Sequence, residues 1–280
     1  MLPRGPVVDA IANLPAVSLM GARIHAITER QCITLILDSL ESRQGGSVST
    51  MNLDHLRRFD SDPDFAALYG DADIVTADGM PLIWASRLRG TPLPERLTGS
   101  DLITSLSAAA ADGGRAIFLL GGDPGTAQQS ADLLTGRFPQ LRVAGVSSLP
   151  DPASPVHSQW GEILCLLEAA QPDIVYVALG SPKQEQLIQS LRHHLPGAWW
   201  IGVGIAFSFL AGQVPRAPRW MQRVGLEWLH RLAKEPGRLS KRYLVQGIPF
   251  AVKLLGEAAL DRGRLSRGCA AASDPPAMQE

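Results

Sequence analysis

Short β-branched and aromatic runs alternate along this chain with longer segments whose apolar positions recur at helical spacing. "SVSTMN", "DIVTAD", "AIFLLGG", "LRVAG", "DIVYVALG" and "AWWIGVG" predict strands. Several are almost continuously apolar, the pattern of strands covered by helices on both faces of a parallel sheet. Between them, "DLITSLSAAAAD", "TAQQSADLLTGRF" and "KQEQLIQSLRHHL" are each long enough to serve as a helical crossover. This βαβ succession predicts an α/β fold, an open, mostly parallel, Rossmann-like sheet with helices on both faces. There is no internal repeat.

The pattern changes at Pro215. From there "VPRAPRWMQRVGLEWLHRLAKEPGRLSKRYLVQGIPFAVKLL" shows no convincing strand and is rich in Arg, Lys and Trp, which predicts a helical C-terminal appendage. Pro236 and Gly237 are expected to break it into separate helices. The division that follows is a loose leader over residues 1–20, an α/β catalytic domain over 21–215, a basic helical appendage over 216–265 and a disordered tail over 266–280. The apolar tract "YLVQGIPFAVKLLGEAAL" contains Pro249, Lys253 and Glu257, so it fails a criterion of roughly 20 uncharged residues for a spanning helix. It is expected to lie on a membrane and not to cross one. Prolines and Asp9 interrupt the leader before a signal-peptide core forms.

With 280 residues, 45% of them hydrophobic, the chain can bury a full core. The formal net charge of −1 gives it no global attraction to nucleic acid, so an anionic partner must meet a local patch. Cys32, Cys165 and Cys269 show neither a disulfide framework nor zinc spacing, which fits a reducing cytoplasmic setting.

Three strand-to-helix junctions carry polar groups: "STMNLDHL" with Thr50 and Asn52, "TADGMPL" with Asp78, and "ALGSPKQEQ" with Gly180, Gln184 and Glu185. Asp, Ser and Asn are ordinary helix N-caps worth about 1 kcal/mol, so each junction alone has a capping explanation. Three on one sheet edge converge on one crevice beyond the carboxyl ends of the strands, where ligands bind in such folds. "LLGGDPGTAQQ" lacks G-x-G-x-x-G spacing and a following Gly-Lys-Ser/Thr, so it reads equally as a close-packing turn or a phosphate contact. The D-x-D pairs Asp62 with Asp64 and Asp71 with Asp73 precede the strand "IVTA" and read as caps and turns. No catalytic metal is expected from them, and adjacent His193 and His194 give no metal-ligand spacing. In the appendage, Arg231 and Lys234 share one helical face and Arg238, Lys241 and Arg242 another. They form either a solvated charged face or an anion clamp and membrane contact.

"TADGMPLIWASRLRG", "LPERLTGSDL", "IFLLGG", "PDIVYVALGSPKQE" and "EWLHRLAKEPGRLSKRYL", in this order over roughly residues 20–245, resemble the WecG/TagA/CpsF family of bacterial glycosyltransferases, also called glycosyltransferase family 26. The resemblance implies transfer of a sugar from a UDP-sugar to a polyprenyl-diphosphate-linked sugar in the synthesis of a cell-surface polysaccharide or exopolysaccharide, with inversion and without a metal or other cofactor. It implies Asp78 as the base, with Thr50 as the second catalytic position, although "STMN" departs from the family's usual apolar context around that threonine. Asn52, Arg96, Gly180, Gln184, Glu185, Arg231, Arg238 and Arg242 are the expected substrate-binding set. The implied place is the cytoplasmic face of the cell membrane, held peripherally. The donor sugar, the acceptor and homo-oligomer formation stay open. An inactive UDP-sugar-binding scaffold subunit is the alternative, with a nicotinamide-dependent dehydrogenase further behind.

Overall fold

The computed structural model describes residues 11–148 and 160–271. It opens with an antiparallel hairpin of β1 (Ala16–Leu19) and β2 (Ala22–His25), which turns through Met20 and Gly21 at φ 50° and 81°. Two positive φ values in a two-residue loop match the right-handed twist of the paired strands. Val17, Leu19, Ala22 and Ile24 are buried, so the loose leader expected through residue 20 is corrected from Ala16 onward. Four-residue strands carry too few alternations for their period to stand out in the sequence. Residues 1–10 of that leader lie outside the described residues.

The catalytic body follows as α1 (Glu29–Glu41), β3 (Gly46–Met51), α2 (Leu53–Ser61), α3 (Pro63–Gly70), β4 (Ile74–Ala77), α4 (Met80–Arg89) and α5 (Gly99–Asp112). It continues through β5 (Ala116–Gly121), α6 (Thr126–Arg137), β6 (Arg142–Ser147), α7 (Trp160–Ala170), β7 (Ile174–Ala178), α8 (Lys183–Leu191), β8 (Trp199–Gly202) and α9 (Ala206–Leu210). β3 to β8 form one six-stranded sheet in the order β4-β3-β8-β7-β5-β6, parallel at every pairing. These are the six strands that the apolar runs predict.

Core side chains sort by strand parity. Trp199 and Trp200, both fully buried, point to opposite faces of β8 and belong to different hydrophobic clusters. Trp199 lies so close to β3 that a Cβ on Gly46 would meet its ring at 2.9 Å. At the sheet edge, Nδ1 of buried His25 accepts the Val75 N–H of β4 at 2.9 Å and so occupies a donor that an edge strand leaves open.

Beyond residue 215 the described chain is helical: α10 (Arg219–Arg223), α11 (Glu227–Lys234), α12 (Pro236–Ser240), a π-helical segment Lys241–Gly247, and α13 (Ile248–Ala271). Pro236 opens α12, where its missing N–H costs nothing, and this is the expected break. α13 lays Phe250, Leu254 and Ala258, one turn apart, into the cluster that holds Leu82 and Ile83 of α4. Lys253–Asp60 at 2.7 Å and Arg89–Asp261 at 3.4 Å flank this seam.

The helix persists to Ala271, so the disordered tail expected from residue 266 is corrected as far as 271; residues 272–280 lie outside the described residues. The expectation that charge and Pro249 disqualify this tract by composition is also corrected. Lys241–Arg262, 22 residues with mean hydropathy 1.2, is long and apolar enough to cross a membrane by length and composition.

Candidate active site

A cavity of about 500 Å³ opens beyond the carboxyl ends of β3, β4, β7 and β8 and is roofed by the appendage. Thr50, Asn52, Asp78, Arg96, Gly180, Gln184, Arg231 and Arg242, all expected from the sequence, line it. Glu185 lies behind this wall, buried, with Oε1 accepting from Gln184 Nε2 at 2.8 Å. The side chain of Arg238 lies outside the described residues.

Asp78 follows the last residue of β4, and its N–H extends the β3–β4 ladder by donating to Met51 O at 2.8 Å. Gly79 comes next at φ 133°, a backbone that L side chains rarely adopt, and lets the chain turn into α4. Among the described residues no hydrogen bond or ion pair ties down the Asp78 carboxylate. Burial pushes it up to about 6, against the opposing pull of the Arg96 guanidinium and with help from the Glu227 and Asp101 carboxylates. It is therefore a stronger base than an exposed aspartate and still ionised at neutral pH.

Arg96 is held from both sides, by Glu227 of α11 at 2.9 Å and by Asp101 of α5 at 3.6 Å. The segment that carries it docks on β4, with Leu97 N–H donating to Ala77 O at 2.9 Å and the Thr76 hydroxyl donating to Leu97 O at 3.2 Å. Gly99 then lets α5 start against β8, since a Cβ there would meet Gly202 O and Val203 Cα at 2.9 Å.

The sequence reading missed Arg216, one residue past the boundary set at 215. Its guanidinium meets Asp101 at 2.7 Å and lines the cavity. The cluster of prolines and arginines in "VPRAPR" was its only signal. Glu227, Asp54 and the aromatic walls Trp84, Trp228 and Tyr243 were also not expected in the site. Arg242 pairs with Asp54 at 3.2 Å. No ion pair holds Arg231 among the described residues, and the Nε atoms of Arg216, Arg231 and Arg242 are buried without a hydrogen-bond partner. Three forked cations with spare donors around one hollow suit phosphate oxygens.

Two expected ligands prove to be partly committed to the wall. Asn52 caps α2, its Oδ1 accepting the N–H groups of Asp54 and His55 at 3.0 Å each, so the ordinary capping role is real. Gln184 accepts from Gly204 N at 3.0 Å while donating to Glu185. The glycine-rich loop after β5 is a close-packing turn: a Cβ on Gly122 would meet Thr126 Oγ1 at 2.4 Å, and this loop does not line the cavity. Asp62 caps α3, and Asp73 accepts from Ser47 N–H at 2.8 Å and pairs with Arg192. Among the described residues no cluster of His, Cys, Asp and Glu is arranged for a metal ion.

The family model described as "Glycosyl transferase WecG/TagA/CpsF family" matches residues 17–264. An N-acetylglucosaminyldiphosphoundecaprenol N-acetyl-beta-D-mannosaminyltransferase of Bacillus spizizenii is 33% identical over 71% of this chain and 75% of its own length. The protein of the same name from Bacillus subtilis is 31% identical over 75% of this chain and 81% of its own. Among solved structures, a mutant of arylmalonate decarboxylase in its sulfate-associated form aligns over 71% of this chain and 83% of its own, at 16% identity and a TM-score of 0.25. With a family model spanning nearly the whole described chain and relatives matched across most of their length, this chain is a glycosyltransferase and belongs to the WecG/TagA/CpsF family.

Proposed function

We propose that this enzyme transfers N-acetylmannosamine from its UDP derivative to N-acetylglucosamine carried on a polyprenyl diphosphate, inverting the anomeric centre. The names of the two Bacillus relatives support the sugar and the acceptor. The observation that carries the chemistry is the unpaired Asp78 carboxylate, raised to about 6 by burial, in one cavity with four arginines.

In the reaction, the acceptor hydroxyl oxygen attacks the anomeric carbon as Asp78 takes its proton. The bond to the diphosphate breaks, and its electron pair leaves on the β-phosphate oxygen of UDP. Arg96, Arg216, Arg231 and Arg242 offset that charge, a task for which guanidinium forks, always protonated, are suited. The wall of Thr50, Asn52 and Gly180 holds the nucleotide sugar.

Peripheral docking on the cytoplasmic membrane completes the proposal. One stripe of α13 is used by the catalytic body, while Leu244, Val245, Ile248 and Val252 stay exposed beside the cavity mouth formed by Gly247, Ile248 and Ala251. An apolar face next to the mouth would place a lipid-linked acceptor's diphosphate at the arginines.

The test is transfer of radiolabelled N-acetylmannosamine from UDP to synthetic N-acetylglucosaminyl-diphosphoprenol. UDP release that requires the acceptor supports the reading, and release without it, or none, refutes it.

A further inference from the structure

In the cavity wall sits a buried polar group with no assigned role: His55 is among the lining residues, and Tyr69 stands behind it. His55 and Tyr69 are 8% and 3% exposed, and their rings lean on Phe65. Because Asn52 Oδ1 accepts two backbone N–H groups, the other end of that amide, Nδ2, faces His55 Nε2 at 3.3 Å. An amide nitrogen only donates, so Nε2 must accept and the imidazole proton must sit on Nδ1. That proton is shared between Thr50 O at 3.0 Å and Tyr69 Oη at 2.7 Å, while the Tyr69 hydroxyl donates to Thr50 O at 3.1 Å. Burial lowers the His55 pKa, with the Glu185 carboxylate opposing it, and this favours the neutral ring. Asn52 keeps one N–H without a partner among the described residues, on a side chain that lines the cavity.

We propose that His55 and Tyr69 are positioning residues for the sugar transfer: the imidazole, braced by the tyrosine hydroxyl, holds the Asn52 amide and the Thr50 carbonyl in the orientation that binds the nucleotide sugar. The proposal rests on the transfer reading above. Both ring nitrogens of His55 are taken up by Asn52, Thr50 and Tyr69, which assigns it a positioning role. It acts through Asn52, whose free N–H would otherwise swing with its side chain, and through the β3 terminus, where Thr50 presents its hydroxyl. Gln184 is held in a similar manner, donating to Glu185 at 2.8 Å while accepting from Gly204 N at 3.0 Å.

Two substitutions separate the bonds. His55→Gln offers an acceptor near the position of Nε2 and keeps the contact to Asn52, whereas His55→Asn offers a donor near Nδ1 for Thr50 O but falls short of Asn52. With the transfer assay run at saturating acceptor, His55→Asn is expected to raise the KM for UDP-N-acetylmannosamine about tenfold, the effect of one lost hydrogen bond. His55→Gln is expected to raise it less than about threefold, and Tyr69→Phe to fall between the two, with kcat changed less than about threefold throughout. Equal losses in the two His55 variants, or losses confined to kcat, would overturn the proposal. Independently of any variant's folding, nitrogen-15 NMR of the wild-type ring is expected to show a neutral imidazole protonated at Nδ1, and protonation at Nε2 would overturn it as well. A wild type that binds UDP but transfers nothing would refute the transfer reading alone, because the NMR result still reports on the network.

Discussion

Arg96 Nη1 lies 2.9 Å from Glu227 Oε2, and this pair joins the catalytic body to the appendage directly beside Asp78. Both side chains are largely buried, so the pair is screened less than a surface ion pair. Its two charges act on Asp78 with opposite sign: Arg96 holds the carboxylate pKa down and Glu227 pushes it up. The appendage therefore supplies more than cations, since a carboxylate from α11 helps raise the pKa of Asp78.

The pH dependence follows from these signs. Asp78 accepts a proton only when ionised, so kcat/KM is expected to fall about tenfold per pH unit below about 6. Glu227→Gln removes a neighbouring negative charge and is expected to move that limb to lower pH, while Arg96→Gln removes a positive one and moves it higher. Rate profiles between pH 4.5 and 8 read both shifts. Shifts in the same direction in the two variants would contradict Asp78 as the titrating base.

Replacing the base should separate chemistry from binding. Asp78→Asn keeps the shape of the site and removes the proton acceptor, so turnover is expected to drop about 10²–10⁴-fold. UDP affinity measured by calorimetry should hold within a few-fold, because the arginines remain in place. Retained turnover would exclude Asp78 as the base.

The same substitution should stabilise the protein, with a definite pH window. A carboxyl whose pKa is raised from 3.8 to about 6 on folding binds its proton more tightly when folded. Its ionisation therefore costs stability as pH rises through that range, and the cost is fully present above about 6. Asp78→Asn is expected to raise unfolding free energy by about 1–3 kcal/mol at pH 8 and by little at pH 3.5. Denaturant titrations at the two pH values check it, and a gain of equal size at both would point to a cause other than charge burial.

How much of this was legible in the sequence depended on the range of the interaction. The six sheet strands could be read because strands buried on both faces are nearly continuous apolar runs, as in "AIFLLGG" and "DIVYVALG". Asp78, Thr50, Asn52 and Gln184 were found because strand-to-helix junctions of a parallel sheet all point to one edge. The hairpin went unseen because four residues alternate only twice. His55 and Tyr69 looked like isolated polar positions on amphipathic helices, and Glu227 like one more charge on a basic helix. Their significance arises from contacts across 14 and 131 positions of chain, which periodicity does not encode. The capping role of Asn52 and the internal bonds of Gln184 show that a junction residue can serve the fold and the site at once.

The four arginines should not respond alike. Arg231 has no ion pair among the described residues, whereas Arg242 is held by Asp54 at 3.2 Å. Arg231→Ala is expected to raise the donor or acceptor KM about tenfold or more with little change in melting temperature, the loss of one charge-assisted contact to diphosphate. Arg231→Lys should recover only part of this, since an ammonium keeps the charge but not the fork. Arg242→Ala should lower the melting temperature as well, because it leaves Asp54 with Arg57 alone. Steady-state kinetics with thermal melts separates the cases.

The exposed apolar side chains of the π-helical segment and of α13 give a final test, of place and not of chemistry. Val245 and Val252 are 66% and 67% exposed and lie outside the cavity, so neither contributes to the core or to the arginine set. If that face enters the headgroup region, each valine moves from water into an apolar setting on binding, worth about 1.5 kcal/mol or more. Val245→Asp with Val252→Asp is then expected to weaken binding to phosphatidylglycerol–phosphatidylcholine vesicles by at least about tenfold. Transfer to a short-chain, water-soluble diphosphate acceptor should stay within about twofold, while transfer to the same sugar on a long polyprenyl chain in vesicles should fall with the binding. Vesicle co-sedimentation and the two transfer assays measure these quantities on one preparation. Unchanged vesicle binding in the double variant would remove this face from the membrane, and the exposed valines would then have to be covered by something other than lipid.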